Sequence, residues 1–104
     1  MWVNFQHYLN LAVGGYYWDI GSPYDIRESQ GRHLFGWNHD LSVTGTDREM
    51  VADQRFDTFL RPLPGDEWKV AVPNNRSYSV FIVAGDPNVI PGSVIDLRVN
   101  STRW

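Results

Sequence analysis

The chain has 104 residues, the size of a single domain (1–104) that can bury one modest hydrophobic core. Its formal net charge of −3 argues against a nucleic-acid partner, because a nucleic-acid groove needs a basic surface. The lack of cysteine excludes disulfides, zinc–thiolate sites and thiol nucleophiles, and no apolar run approaches the roughly 18 residues of a membrane span.

The predicted elements are short strands separated by turns. Alternating or continuous apolar patterns predict strands at residues 2–6, 34–38, 55–60, 68–72, 78–84 and 94–100. Residues 48–54 are predicted to form one helical turn, and residues 24–32 and 38–47 are predicted to be loops. No segment carries the apolar stripe of a substantial amphipathic helix. The sequence therefore predicts an all-β fold, specifically an antiparallel β-sandwich or jelly roll.

The clearest strand–turn–strand signal lies in the second half of the chain. Residues 68–72 alternate apolar and polar from Trp68 onwards, and the proline and asparagines of residues 73–77 favour a turn. Residues 78–84 are apolar at nearly every position, which is typical of a central strand covered on both faces. We therefore expect Trp68 and Phe81 to be buried between two sheets.

The aromatic content is unusual, because Trp, Tyr and Phe make up 14% of the chain. Several aromatics fall in stretches rich in Gly, Asn and Asp. There the flat rings could stack on the apolar face of a sugar, and the neighbouring polar groups could bind its hydroxyls. Tyr16, Tyr17 and Trp18 follow a Gly–Gly break and could form a stacking platform. The alternative is that alternate rings of this cluster point into the core, with at least one ring directed outward.

A second polar and aromatic cluster follows the predicted strand at residues 34–38. Trp37, Asn38, His39 and Asp40 offer a ring, an amide, an imidazole and a carboxylate in four consecutive residues. Trp37, Asn38 and Asp40 are accordingly candidate sugar-binding residues. The alternative is a loop in which the Asn and Asp side chains cap the local backbone.

The order of five motifs resembles the malectin-like domains, a family of jelly-roll carbohydrate-binding modules of the galactose-binding-domain-like class. The motifs are Val3-Asn4, then DQRFDTF, W-x-V-x-V-P-N, YSVFIVAGDP and SVIDLRVN, which together span nearly the whole chain. The chain is most similar to bacterial members that are appended to secreted, multidomain surface proteins. The resemblance therefore also favours an extracellular or cell-surface location.

The resemblance implies sugar binding by aromatics on loops at one end of the sandwich. Tyr24 and the stretch from Phe35 to Trp37 fall where malectin-like domains place binding aromatics, and the loop beginning at Asp86 matches a binding loop. In that loop the family's two aromatics are replaced by Asp86-Pro87-Asn88. This departure bears on the identity of the sugar more than on the fold.

The sequence indicates no cofactor. His33, His39 and Asp40 match no zinc-ligand spacing and lack an evident further ligand. A calcium ion held by oxygen ligands within residues 47–57 is the more credible metal site, and its role would be structural.

The carboxylates do not predict an enzyme. A glycosidase needs two carboxylates that face each other across a cleft. Asp53 and Asp57 flank Arg55, which favours a structural ion pair or loop anchor, and Asp66 with Glu67 lies in a Pro–Gly turn. No serine lies in a GxSxG context. These patterns favour a non-catalytic protein.

The sequence thus predicts a carbohydrate-binding module, with carbohydrate as the partner. The alternative is a structural or assembly domain whose exposed aromatics form a protein interface. A malectin-like jelly roll continues beyond the strand at residues 94–100, whereas this sequence ends at Trp104. We therefore expect self-association, a homo-oligomer that covers the open apolar face and includes Trp2 and Trp104.

Overall fold

The computed structural model describes residues 1–49, 52–74, 76–84, 98–99 and 102–103. Within these ranges nearly all regular structure is short strand, which confirms the all-β prediction. The strands are β1 (Val3–Phe5), β2 (Tyr17–Asp19), β3 (Asp25–Arg27), β4 (His33–Trp37), β5 (Thr46–Asp47), β6 (Thr58–Phe59), β7 (Trp68–Val70), β8 (Arg98–Val99) and β9 (Thr102–Arg103). A 3₁₀ turn spans Ser42–Thr44, and the one-turn helix α1 spans Gln54–Asp57. None of the helical segments in these ranges has the length and apolarity to cross a membrane.

The largest sheet contains β3, β4 and β7, in that order, with both pairs antiparallel. In its register Phe35 lies opposite Val70, and Trp37 lies opposite Trp68. The strands predicted at residues 34–38 and 68–72 are therefore present. The loop predicted at residues 24–32 is wrong at β3, whose backbone pairs with β4.

Gly36 is required in the middle of β4. Its φ of +146° lies in a region that side chains rarely adopt, and a Cβ atom there would lie 2.6 Å from the Pro23 carbonyl oxygen. The backbone at Pro23 also bridges in parallel to Trp37. This close approach positions the chain that leads from β2 into β3.

A second, two-stranded sheet pairs β1 with β2 in parallel, with Val3 opposite Tyr17 and Phe5 opposite Asp19. Residues 6–16 form the crossover that a parallel pair requires. The strand predicted at residues 2–6 is therefore present, but its parallel pairing departs from an entirely antiparallel arrangement.

The helical turn predicted at residues 48–54 lies further along the chain, at α1. Asp53 sets its start, because the Asp53 carboxylate accepts a hydrogen bond of 3.0 Å from the Arg55 backbone N–H. The same carboxylate accepts hydrogen bonds from the Arg55 guanidinium, which confirms the predicted ion pair. The strand predicted at residues 55–60 is consequently reduced to β6, which pairs with β5.

The apolar core is small and aromatic. Phe35 is fully buried, and Trp37, Leu41 and Leu60 form a buried cluster next to it. Phe5 and Trp68 are half-buried and pack on that cluster, with their ring centroids 5.5 Å apart. Trp68 thus packs on the core but is half-buried, rather than fully buried between two sheets as predicted.

The segment 78–84 does not form the predicted central strand. These residues are exposed and irregular, and Phe81 is 74% exposed, so the predicted burial of Phe81 is wrong. An apolar pattern shows that a segment can pair as a strand, whereas burial needs a neighbouring edge that this segment does not contact. Of the strand predicted at residues 94–100, only β8 lies within the described residues, where it pairs with β9.

Candidate functional site

Two grooves lie side by side on the surface and share the side chains of Trp18 and Ile20. The first groove has a volume of about 340 Å³ and runs towards β3 and the turn that follows it. The second has a volume of about 280 Å³ and runs towards residues 6–12. Only the first of these two volumes falls within the usual range of small-ligand sites. Trp18 therefore contributes to the lining of both concave surfaces.

The β2 strand directs Trp18 into these grooves. Successive side chains of a strand point to opposite faces, and Asp19 is directed inward with 2% of its surface exposed. Trp18 therefore points to the outer face, where its half-buried side chain lines both grooves. Tyr16 and Tyr17 are half-buried as well, so each of the three rings keeps part of its surface exposed.

The backbone of Trp18 is held on both sides by one buried side chain. The Gln30 side-chain oxygen accepts a hydrogen bond of 2.8 Å from the Trp18 N–H, and its amide nitrogen donates one of 3.0 Å to the Trp18 carbonyl. Gln30 is only 6% exposed, so water does not compete strongly for these bonds. The backbone at Trp18 is therefore held in place without a ligand.

The first groove combines apolar and polar side chains. Ile26 is 42% exposed and lies near Trp18, while Arg27 and Glu28 supply charge. The Arg27 guanidinium donates to the Pro23 carbonyl at 2.9 Å and lies 5.1 Å from the centre of the Phe35 ring. An apolar floor with a few fixed polar groups is the usual composition of a site for a small polar ligand.

The second groove is organised by Gln6, which is 1% exposed. Its side-chain amide accepts from Asn4 at 3.1 Å and donates to the Asn10 carbonyl at 2.8 Å, which fixes the turn after β1. Tyr8 and Leu11 line the same groove and are 57% and 88% exposed. An aromatic ring is thus available on this side of Trp18 as well.

The neighbouring rings of the predicted platform lie apart from Trp18. Tyr16 lies 6.0 Å from Trp2, and the Arg55 guanidinium lies 5.8 Å from the Tyr16 ring. The Tyr17 hydroxyl forms a hydrogen bond of 2.9 Å with Nε2 of His33. The three consecutive aromatics therefore lie in three different environments and do not form one stacking platform.

Phe35 and Trp37, both predicted as sugar-binding residues, are interior residues. Phe35 is 0% exposed and Trp37 is 8% exposed, because β4 is the middle strand of its sheet. A buried ring has no free face on which a sugar could stack. Tyr24 is 41% exposed and lies just before β3, and Asp86 lies outside the described residues.

Asp40 caps its local backbone, as the alternative interpretation of that cluster predicted, whereas Asn38 binds the backbone of a loop distant in sequence. The Asn38 side chain donates to the Gly65 carbonyl at 2.9 Å and accepts from the Glu67 N–H at 3.2 Å. The Asp40 carboxylate accepts from the Ser42 N–H at 2.8 Å, and this bond lowers the pKa of Asp40. Both side chains therefore stabilise loops.

His39 and Asp66 form an exposed pair that joins the same two loops through a hydrogen bond. The pKa of His39 is raised, chiefly because Asp66 stabilises the charged imidazolium. The pKa of Asp66 is lowered, first by the Leu63 N–H and then by His39. This pair adds a link between loops that is strongest when His39 is protonated.

Asp19 is a buried carboxylate directly behind the groove. It accepts hydrogen bonds of 2.8 Å from the Gly21 N–H and 2.8 Å from Nε1 of Trp68. Burial raises its pKa, although these two bonds, the charge of Arg27 and the nearby Trp37 indole act in the opposite direction. Nε1 of Trp37 is itself buried and makes no hydrogen bond of normal geometry.

The predicted calcium segment has structural contacts of its own. The Asp47 carboxylate accepts from the Asn10 side chain at 2.7 Å and from the Glu49 N–H at 3.0 Å, and the first of these is the largest cause of its lowered pKa. Within the described residues, no three His, Asp or Glu side chains cluster as metal ligands.

Comparison with known proteins identifies no relative: no family model matches the chain, and no curated protein or solved structure matches it significantly.

Proposed function

We propose that the chain is a non-catalytic carbohydrate-binding module that holds an oligo- or polysaccharide against Trp18. The observation that carries this proposal is the tryptophan itself, which is clamped by Gln30 and lies between two grooves. A flat indole face suits the apolar face of a pyranose, and the polar groups beside it suit the hydroxyls. A backbone that is already held by hydrogen bonds has less conformational entropy to lose on binding.

The groove chemistry supports binding rather than hydrolysis. Among the described lining residues, Glu28 is the one carboxylate, and it forms an exposed ion pair with Arg32. A glycosidase places two carboxyl groups on either side of the scissile bond. We also propose, from the motif order described above, that the strands belong to a jelly-roll sandwich resembling the malectin-like domains.

Replacing Trp18 with alanine tests the proposal. We expect the free energy of sugar binding to weaken by about 1–3 kcal/mol, roughly a 5- to 150-fold loss of affinity. The measurement is isothermal titration calorimetry with the best ligand from an oligosaccharide panel, screened by the change in tryptophan fluorescence. Circular dichroism establishes that the variant keeps its fold.

Tyr24→Ala is the matched control, because Tyr24 is an exposed aromatic that lines neither groove. We expect its affinity to equal that of the unaltered chain. If Tyr24→Ala lost sugar binding and Trp18→Ala did not, the binding site would not lie in the two grooves. A panel without any bound sugar would overturn the proposed function.

A further inference from the structure

The segment 78–84, here called the apolar segment, exposes large hydrophobic side chains to an unusual degree. Phe81 is 74% exposed, Val80 and Val83 are each 63% exposed, and Tyr78 and Ile82 are close to half exposed. The segment contains no charged residue. A contiguous exposed apolar patch of this kind marks an interaction surface.

Among the described strands, β7, which precedes this segment, lies at one edge of its sheet. β7 pairs with β4 on one side, and no other described strand pairs with its opposite side. An exposed strand edge offers unpaired N–H and C=O groups to another chain. The described part of the chain therefore contains both a strand edge that no described strand pairs with and an exposed segment that is suited to form a strand.

We propose that the apolar segment of one molecule adds as an antiparallel strand to the β7 edge of a second copy, and that the exchange is reciprocal. A two-fold axis then relates the two molecules, so each edge is covered by the partner's segment. The occupant is a second copy because edge and segment occur in the same chain. This inference does not depend on carbohydrate binding.

The side-chain pattern requires a register that places the apolar faces of the two strands on the same side, and the proposal takes the one with the following pairs. Residues opposite each other in antiparallel strands point to the same face, so pairing positions whose numbers sum to 150 aligns the apolar faces. The aligned pairs are Val72 with Tyr78, Val70 with Val80, and Trp68 with Ile82. A slip by one residue would direct Ser79 towards the core face instead. In the favoured register Lys69 lies opposite Phe81 on the outer face.

The position of the segment favours exchange over closure of a hairpin within one chain. The Phe81 ring lies 6.4 Å from the Trp2 ring, so the segment is directed towards the N-terminal residues. The Tyr78 hydroxyl donates to the Pro73 carbonyl at 2.5 Å, which holds the connection to the segment. In this arrangement the apolar segment is displaced from its own β7 edge and is available to another molecule.

Cysteine cross-linking tests the exchange, because the chain contains no native cysteine. Val70→Cys and Val80→Cys are introduced on separate chains, which are co-expressed and oxidised. Directly opposed residues place their Cβ atoms about 4.5–5.5 Å apart, close enough for a disulfide with small adjustment. We expect a disulfide-linked species of twice the 12.0 kDa chain mass on a non-reducing gel.

Two further outcomes are decisive. The pair Val43→Cys and Val80→Cys is the control and should not cross-link, because Val43 is 91% exposed and lies on the 3₁₀ turn, outside the proposed strand pairing. When Val70→Cys and Val80→Cys are placed in the same chain, a disulfide-linked monomer would indicate a closed hairpin and overturn the proposal. Absence of the Val70–Val80 cross-link between chains would also overturn it.

Mass measurement of two lysine variants gives an independent test. Val80 and Val83 are equally exposed, but only Val80 faces the core in the proposed register. We expect Val80→Lys to be a monomer by light scattering and Val83→Lys to remain a dimer, each with unaltered circular dichroism. Equal behaviour of the two variants, or an unaltered chain that is monomeric at micromolar concentration, would contradict strand exchange.

Discussion

Replacing Trp68 with alanine is expected to lower the free energy of unfolding by about 3–5 kcal/mol, the usual cost of removing a large aromatic from a core. The Trp68 ring packs against Phe5 at 5.5 Å and against Phe35 at 5.9 Å. Its indole N–H also donates to the buried Asp19 carboxylate at 2.8 Å. The loss is a large fraction of the stability of a domain of this size.

Trp68→Phe separates these two contributions, because it keeps an aromatic ring and removes the N–H. We expect a smaller loss of about 1–3 kcal/mol, the cost of leaving a buried polar group short of one hydrogen bond. Urea denaturation measures both variants, with a changed midpoint and an unchanged slope. Val43→Ala is the surface control, expected within about 0.5 kcal/mol of the unaltered chain. A near-native midpoint for Trp68→Ala would show that this ring does not stabilise the core.

The strands that the sequence predicts correctly are those whose apolar pattern matches their burial in the fold. β1, β4 and β7 carry apolar side chains that contact the core, so their local pattern reflects their burial. β3 was missed because it is an edge strand whose residues are mostly exposed. The β3 strand forms because its backbone pairs with β4. Backbone pairing does not require alternating apolar side chains, so the sequence carries no signal for it.

The apolar segment illustrates the opposite case. Its composition has a high strand propensity, yet the segment forms no strand, because composition contains no information about which edge will pair with it. Phe81 is accordingly exposed in the chain by itself. The predicted homo-oligomer remains a proposal, now with a defined segment, edge and register.

The candidate site was predictable only in part. Trp18 was identified because three aromatics follow a flexible Gly–Gly break. Gln30 was not identified, because a side chain that holds a backbone twelve residues earlier leaves no local signal. The sequence places Phe35 and Trp37 among the candidate binding residues, because their burial depends on β4 lying between two other strands, which the local pattern does not show.

Strand β2 links the core to the groove, since Asp19 points inward while Trp18 points outward. Asp19 connects to β7 through Trp68 and to the following turn through the Gly21 N–H. Asp19→Ala would leave both donors without their acceptor, so we expect a loss of about 2–5 kcal/mol in unfolding free energy. The change should also weaken ligand binding, because the β2 backbone positions the Trp18 ring.

The Asp19→Asn variant has a distinctive pH dependence. Burial raises the pKa of Asp19, so the folded state disfavours the charged carboxylate relative to the unfolded state. The stability that this group contributes is therefore complete below its unfolded pKa of about 4 and is lost as the pH rises through the folded pKa. Asparagine does not ionise. The free energy of unfolding of Asp19→Asn, relative to that of the unaltered chain, should therefore increase as the pH rises above about 4.

Urea unfolding of the unaltered chain and of Asp19→Asn, at a series of pH values from acid to neutral, measures this difference. The lowered pKa values of Asp53 and Asp66 act in the opposite direction, but they are common to both proteins and cancel in the difference. Asp19→Ala should show the same pH trend at lower stability throughout, because it also lacks an ionisable group. A difference that is independent of pH, or that falls as the pH rises, would show that Asp19 is not held in a desolvated position behind Trp18.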